Sequence, residues 1–156
     1  MSQSGIVKLL PLLLLFSSNV LSEDTKFQDW IFRQELLYKS SFTKSHSGNE
    51  LGMVCKSGKC FFYFSPVEKC PQQKIIGYLM SPEANSLRVK IKCFKHEVVN
   101  FYNFENIKEV REFLINNSVV YFMSDDGVNL SNISVFSSNG SEESLNLLMN
   151  SSIAIK

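Results

Sequence analysis

The sequence predicts a mainly β protein with two short helices, built as an antiparallel β-sandwich or a partly closed, barrel-like sheet and crosslinked by two disulfides. Three observations support this fold class. Most apolar runs are short and are bounded by Gly, Pro, Asn or Ser, as strands are. Apolar residues recur at helical spacing near residues 107–115 and 141–149. Four cysteines follow an N-terminal apolar run that is typical of an exported chain.

The amino terminus has the pattern of a secretory signal peptide. An apolar stretch at residues 9–16 follows a short segment whose one charge is Lys8, and small Ser22 precedes the expected cleavage point. We therefore expect residues 1–22 to be removed and residues 23–156 to form a single exported β-rich domain. The stretch is too short to span a bilayer, which takes about 20 apolar residues. We expect no transmembrane segment after cleavage.

The segment before the first cysteine gives mixed signals. We expect residues 23–26 to be a polar terminus. Residues 27–38 suit either a helix or a strand, and we favour a strand with Trp30 packed beneath the sheet. Residues 39–49 are rich in Ser, Thr, Gly, His and Lys, which predicts a loop.

Residues 50–64 predict a β-hairpin. Two apolar runs flank a polar turn, Lys56-Ser57-Gly58-Lys59, and a cysteine stands at each edge of that turn. This turn is our candidate contact loop. A loop punctuated by prolines follows at residues 65–71.

Strands are predicted at residues 74–80, 87–93 and 96–104, with a turn at residues 81–85. In the second of these strands, period-two alternation directs Cys93 and three apolar residues to one face. The same alternation directs Arg88, Lys90 and Lys92 to the other, solvent-facing side.

The four cysteines are predicted to form two disulfides, Cys55–Cys60 and Cys70–Cys93. Hairpin closure places the first two opposite each other, and the inward-facing Cys93 can reach Cys70 in the neighbouring loop. Two other pairings are open, and both would leave the hairpin neck without a crosslink. The cysteine spacings do not match a zinc site, so no metal is expected.

The last third of the chain combines two helices with two strands. Asn106 and Glu109 match a capping box, and Ile107, Val110 and Leu114 form an apolar helical face over residues 107–115. Strands are expected at 118–123 and 128–136, the second with a bulge, with a turn at 124–127 between them. A second helix at 141–149 is expected to direct Leu145, Leu148 and Met149 to the core, with a frayed tail from residue 150.

The chain has an early Trp30, late cysteines, a short helix and the closing segments Val135-Phe136-Ser137, Gly140-Ser141 and Glu143-Ser144-Leu145-Asn146-Leu147-Leu148. This order of features resembles the invasion-associated locus B family of bacterial periplasmic proteins. The chain departs from the family at Arg33, where a cysteine is common, and at Cys93, which lacks a close second cysteine. The resemblance implies a small exported domain linked to host-cell entry, with no catalytic residues to carry over.

Composition and motifs argue against an enzyme and against nucleic-acid binding. The net charge of +1 lacks the basic excess that phosphate binding needs. No nucleophile elbow and no Gly-rich phosphate loop occur, so no cofactor is expected. His96 is the one candidate base, and Glu97 beside it on a strand would point to the opposite face.

The function that we predict is therefore contact with an unknown protein partner by an exported, non-enzymatic envelope protein. The expected compartment is a bacterial periplasm, with secretion as the alternative. A second hypothesis is a small exported inhibitor or immunity-type protein that binds an enzyme or toxin through a rigid loop, at residues 56–59 or 65–71.

Overall fold

The computed structural model describes residues 23–70, 75–96, 98–125 and 130–153. Ten antiparallel strands form one sheet in the order β1-β2-β3-β4-β5-β8-β7-β6-β9-β10, with two helices. The elements are β1 (Glu23–Phe27), β2 (Trp30–Gln34), β3 (Lys39–Lys44), β4 (Glu50–Lys56), β5 (Lys59–Val67), β6 (Ile75–Met80), β7 (Ser86–His96), β8 (Val99–Phe104), α1 (Ile107–Ile115), β9 (Val119–Asp125), β10 (Leu130–Ser137) and α2 (Ser141–Ile153). The predicted fold class is confirmed. The predicted signal peptide lies outside the described residues.

The sheet curls until its last strand lies against its first strands. The indole Nε1–H of Trp30 donates a hydrogen bond of 3.0 Å to the carbonyl oxygen of Ser137. The Ser137 hydroxyl donates to the Asp29 carboxylate at 2.7 Å, and Asn49 Nδ2 donates to Ser134 Oγ at 2.7 Å. These bonds join β10 to β2 and to the start of β4 through side chains. We call this junction the seam.

The inner face of the curled sheet holds the hydrophobic core. Successive residues of a strand point to opposite faces, so every second residue of the central strands is buried. Phe64 lies at the centre, with its ring centroid 4.5 Å from that of Phe122 and 6.1 Å from that of Phe136. The largest fully buried side chains of this core are Trp30, Tyr102, Phe62, Phe64, Phe104, Phe122, Phe136, Leu51, Met53, Leu79 and Leu114.

The predicted hairpin and both predicted disulfides are confirmed. Ser57 and Gly58 form a two-residue turn with φ of 50° and 76°, the type I′ geometry that matches strand twist. Cys55 pairs directly with Cys60 across the hairpin, with their Cα atoms 4.1 Å apart. Cys70 and Cys93 are bonded with a Cα separation of 5.5 Å.

The N-terminal prediction is wrong in two places. Residues 23–26 belong to β1, and the single strand expected at residues 27–38 is divided by a turn at Gln28, whose φ is 51°. The turn lets β1 and β2 pair as a hairpin, which Arg33 and Asp24 strengthen with a two-bond ion pair at 2.8 Å. Residues 35–38 then form a loop.

The loop expected at residues 39–49 is also partly wrong, because β3 occupies its first half. Ser41 is completely buried in that strand. Its hydroxyl shares a hydrogen bond of 2.7 Å with the hydroxyl of Ser144 on α2. A buried hydroxyl is tolerated when it is paired in this way, and that partner lies 103 residues away.

Two strand boundaries in the middle of the chain differ from the prediction. His96 ends β7 and pairs with Val99, so β8 begins three residues later than the strand expected at 96–104. β5 continues through Pro66 to Val67, where a loop was predicted. The β5–β8 register shifts between Phe64 and Val67, since proline has no N–H to give to the ladder.

The first helix has the predicted bounds but not the predicted cap. Val110 and Leu114 are buried, whereas Ile107, the first helical residue, is exposed. The Asn106 side chain does not cap the helix; its Oδ1 accepts the backbone N–H of Lys90 at 3.2 Å. The capping box and the inward position of Ile107 were therefore wrong.

The end of the chain confirms one prediction and corrects two. The predicted bulge in β10 is present, because the β9–β10 register shifts between Ser131 and Ser134. Leu145 and Leu148 of α2 are buried as expected, but Met149 is exposed. The helix runs to Ile153, so the frayed tail expected from residue 150 is helical at least that far.

Replacing Leu114 by Ala should lower the free energy of unfolding by about 2–5 kcal/mol, because the change leaves a cavity in a filled core. Ile107→Ala is the matched control on the same helix and should cost clearly less, since Ile107 is exposed. Urea denaturation of both variants measures the difference. Equal losses for the two would contradict the packing of α1.

Candidate functional site

The predicted contact loop is an exposed and crosslinked turn. All four of its residues, Lys56, Ser57, Gly58 and Lys59, are exposed, and the Cys55–Cys60 disulfide closes directly behind them. Neither lysine forms an ion pair with a carboxylate in the part of the chain that the structure describes. A turn held by a disulfide and by type I′ geometry is pre-organised for contact.

A second loop lies beside this turn and was missed by the sequence analysis. Leu36 and Leu37, between β2 and β3, are 79% and 68% exposed. A recess of about 340 Å³ separates the two loops and is lined by Leu36, Leu37, Ser57 and Gly58. We call residues 35–38 and 56–59 together the tip. The Leu36-Leu37 pair was a signal for this loop that the sequence prediction did not use. Two consecutive residues of a strand cannot both point inward, so at least one of the two leucines had to be exposed if the segment were a strand.

The outer face of the sheet carries an aromatic groove of about 380 Å³ across β3, β4, β5 and β8. Phe42, Phe61, Tyr63 and Phe101 provide its apolar lining. Gly52 lies between Phe42 and Tyr63 in the strand register. A Cβ on Gly52 would lie 2.5 Å from Cβ of Phe42, so a glycine is required for this close approach.

The groove continues as a row of rings toward β7. The ring centroids of Phe61 and Phe101 are 6.2 Å apart, and those of Phe101 and Phe94 are 5.9 Å apart. Phe61 and Phe101 are half-buried, and Phe94 at the end of the row is 45% exposed. Val99 also lines the groove and is exposed. An aromatic row open to solvent on a sheet face is a feature of binding surfaces.

Polar groups occupy the β3–β4 side of the groove. Glu50 accepts a hydrogen bond of 3.3 Å from the hydroxyl of Tyr63 and forms an ion pair of 3.1 Å with Lys44. Burial, followed by the negative charge of Glu50, raises the pKa of Tyr63 well above its ordinary value. The Arg33 guanidinium lies 5.1 Å from the ring centroid of Phe42, and its hydrogen bonds to Asp24 raise its pKa, so it stays charged.

The candidate base His96 lies at the rim of the same groove, at the end of β7. It is exposed, and no side chain or backbone group of the described residues forms a hydrogen bond with its ring. Glu97 lies outside the described residues. Within residues 23–70, 75–96, 98–125 and 130–153, no three His, Cys, Asp or Glu side chains come together as a metal site.

Comparison of the chain with protein-family models, with curated proteins and with solved structures found no match. Of the helices in the described part of the chain, neither is long and apolar enough to cross a lipid bilayer. The tip and the aromatic groove are the two surfaces of the described residues that are suited to binding.

Tyr63 should make the stability of the protein depend on pH in the alkaline range. Because its pKa is raised in the folded state, its contribution is fully present below the unfolded value of about 10 and is lost as the pH rises further. Tyr63→Phe keeps the ring and removes the ionisable hydroxyl. Its free energy of unfolding should fall less than that of the wild type between about pH 9 and pH 11.

Urea denaturation at both pH values provides the measurement, with Tyr78→Phe as the control on a different strand. If Tyr63→Phe loses as much stability as the wild type over this interval, the Tyr63–Glu50 arrangement is incorrect.

Proposed function

We propose that the protein is an exported, non-enzymatic envelope protein that acts through protein–protein contact, with the tip as its contact surface. The observation that carries the proposal is the exposure of Leu36 and Leu37 directly beside a disulfide-crosslinked turn. Two lysines of that turn form no ion pair with a carboxylate among the described residues. Such a surface combines apolar anchors with a positively charged rim.

The energetics of the tip favour a protein partner. Burying a leucine side chain is worth about 1.5–3 kcal/mol, and contact residues that fill a partner's pocket supply most of the binding energy of an interface. Lys56 and Lys59 would steer an acidic partner and set its orientation. Because the turn is already ordered, little conformational entropy is lost when it binds.

Export is supported by the two disulfides, which persist in oxidising compartments and are rare in the cytosol. The signal-peptide pattern of residues 1–22 points the same way. From the resemblance to the invasion-associated locus B family, we further propose that the compartment is a bacterial periplasm and that the function is linked to host-cell entry.

The second candidate function is inhibition of an enzyme or toxin, and the crosslinked turn at Lys56–Lys59 favours it. Protease–inhibitor pairs bind with little backbone movement, and a short turn fixed by Cys55–Cys60 meets that requirement. The alternative loop at residues 65–71 is partly taken up by β5, which makes it less suitable.

Capture from an envelope extract, followed by calorimetry with the purified partner, tests the proposal. The double variant Leu36→Ser/Leu37→Ser should weaken binding by about 100-fold or more, because two buried leucines are lost. Lys56→Glu/Lys59→Glu should also weaken partner binding, and the loss of affinity should be larger at low salt than at high salt. An inhibitor would capture one enzyme and suppress its activity, whereas an envelope contact protein would leave any captured enzyme active.

The control variant is Ile133→Ser/Leu147→Ser, which removes exposed apolar side chains outside the tip. It should bind like the wild type. A partner that binds the tip variants as tightly as the wild type would overturn the assignment of the tip as the contact surface.

A further inference from the structure

A row of cations lies beside the aromatic groove on the outer face of the sheet. Arg88, Lys90 and Lys92 are all exposed on β7, while Val89 and Ile91 between them are buried in the core. The predicted one-sided placement of these three charges is thus confirmed. Phe94 continues the same face of the strand toward the aromatic row.

The strand register places these cations two strands away from the aromatic rings of β5, on the same face. Phe62, Phe104 and Ile91 are aligned across β5, β8 and β7. Their neighbours Phe61 and Lys90 therefore share a level on the outer face, two strand spacings or about 10 Å apart. One level further on, Lys92 pairs with Asn103, which in turn pairs with Tyr63.

The positive charge of this row is only partly compensated. Lys92 forms an ion pair of 2.6 Å with Glu105, whose pKa it lowers by hydrogen bonding. Arg88 and Lys90 have no ion pair with any carboxylate in the described residues. Glu105 also attracts Lys90 electrostatically, so one carboxylate faces three cations and the row keeps a positive excess.

We propose that the aromatic groove and the cation row together bind an acidic segment of a partner protein that carries an apolar or aromatic side chain. The apolar side chain would enter the groove beside Phe61 and Phe101, and the carboxylates would contact Arg88 and Lys90. This second surface goes beyond the function assigned to the tip and can hold or fail independently of it.

The shape and charge of the surface favour an acidic protein segment as the occupant. Burial of an anchor side chain in a recess with charged groups at its rim is typical of peptide recognition. Phe61 and Phe101 are half-buried in the sheet surface and leave a recess between strands that one apolar side chain can enter. Nucleic-acid binding needs a larger basic excess than a charge of +1 provides.

Selection of a random 12-residue phage-displayed peptide library on the intact, oxidised protein tests the proposal. Selected peptides should be enriched in Asp and Glu together with Phe, Trp or Leu, and their affinity should fall as salt rises. Arg88→Glu/Lys90→Glu should weaken the binding of a selected synthetic peptide by about tenfold or more, mainly in its association rate. Phe94→Ser should weaken it as well, with little change in salt dependence.

The matched control is Lys69→Glu/Lys95→Glu, which makes the same charge change with exposed lysines that lie outside the row. Lys95 is on the same strand, but it is an odd number of residues from Lys90 and Lys92 and therefore lies on the other face of the strand. This control should bind the peptide within about twofold of the wild type. The tip variant Leu36→Ser/Leu37→Ser should also bind it normally, which separates this proposal from the function of the tip.

Selected peptides without acidic enrichment, or with equal affinity for Arg88→Glu/Lys90→Glu and the wild type, would overturn the proposal. So would tight binding to heparin or to vesicles of phosphatidylglycerol that depends on Arg88 and Lys90 while no peptide is selected, because the occupant would then be a glycan or a membrane.

Discussion

The seam at Trp30 is the constraint on which the rest of the structure depends. Trp30 is completely buried, and its indole N–H bonds to the Ser137 carbonyl, so the second strand is held against the last strand. The sheet stays open, since β1 and β10 do not pair as strands, but these bonds hold it curled around an apolar interior. Helices α1 and α2 complete the interior with Leu114, Leu145 and Leu148. A buried indole needs a partner for its N–H, and only the curled sheet provides this one.

Because the inner face already holds the large rings of the core, the outer face is available for binding. Phe42 is 1% exposed but lies in the groove under Arg33, apart from the core cluster. Phe61, Phe94 and Phe101 add nothing to the core, so their presence on the outer face is better explained by recognition than by stability. The two disulfides support this division, since Cys55–Cys60 holds the tip and Cys70–Cys93 anchors β7 beneath the cation row.

Sequence patterns predicted the features that local chemistry determines. The Cys-flanked turn predicted the hairpin and the Cys55–Cys60 disulfide, and Cys70–Cys93 followed by exclusion. Period-two alternation predicted the inward face of Cys93 and the exposed face of Arg88, Lys90 and Lys92. The missed features depend on distant partners. The polar sequence of β3 is typical of a loop, and its buried Ser41 is accommodated only because Ser144 of α2 pairs with its hydroxyl. The Asn106 side chain accepts the backbone N–H of Lys90 on the neighbouring strand instead of capping α1. The aromatic groove could not be predicted, because it requires the register of four strands.

Trp30 is the one tryptophan of the chain, so its fluorescence reports on the seam directly. Urea unfolding of the oxidised protein should be followed by this fluorescence and by amide hydrogen exchange of the central strands β5 and β8. We expect a blue-shifted, quencher-resistant emission and coincident transitions for both probes, because the curled sheet unfolds as one unit. Exposure of Trp30 at a urea concentration where β5 and β8 remain protected would contradict the seam as the constraint that holds the fold together.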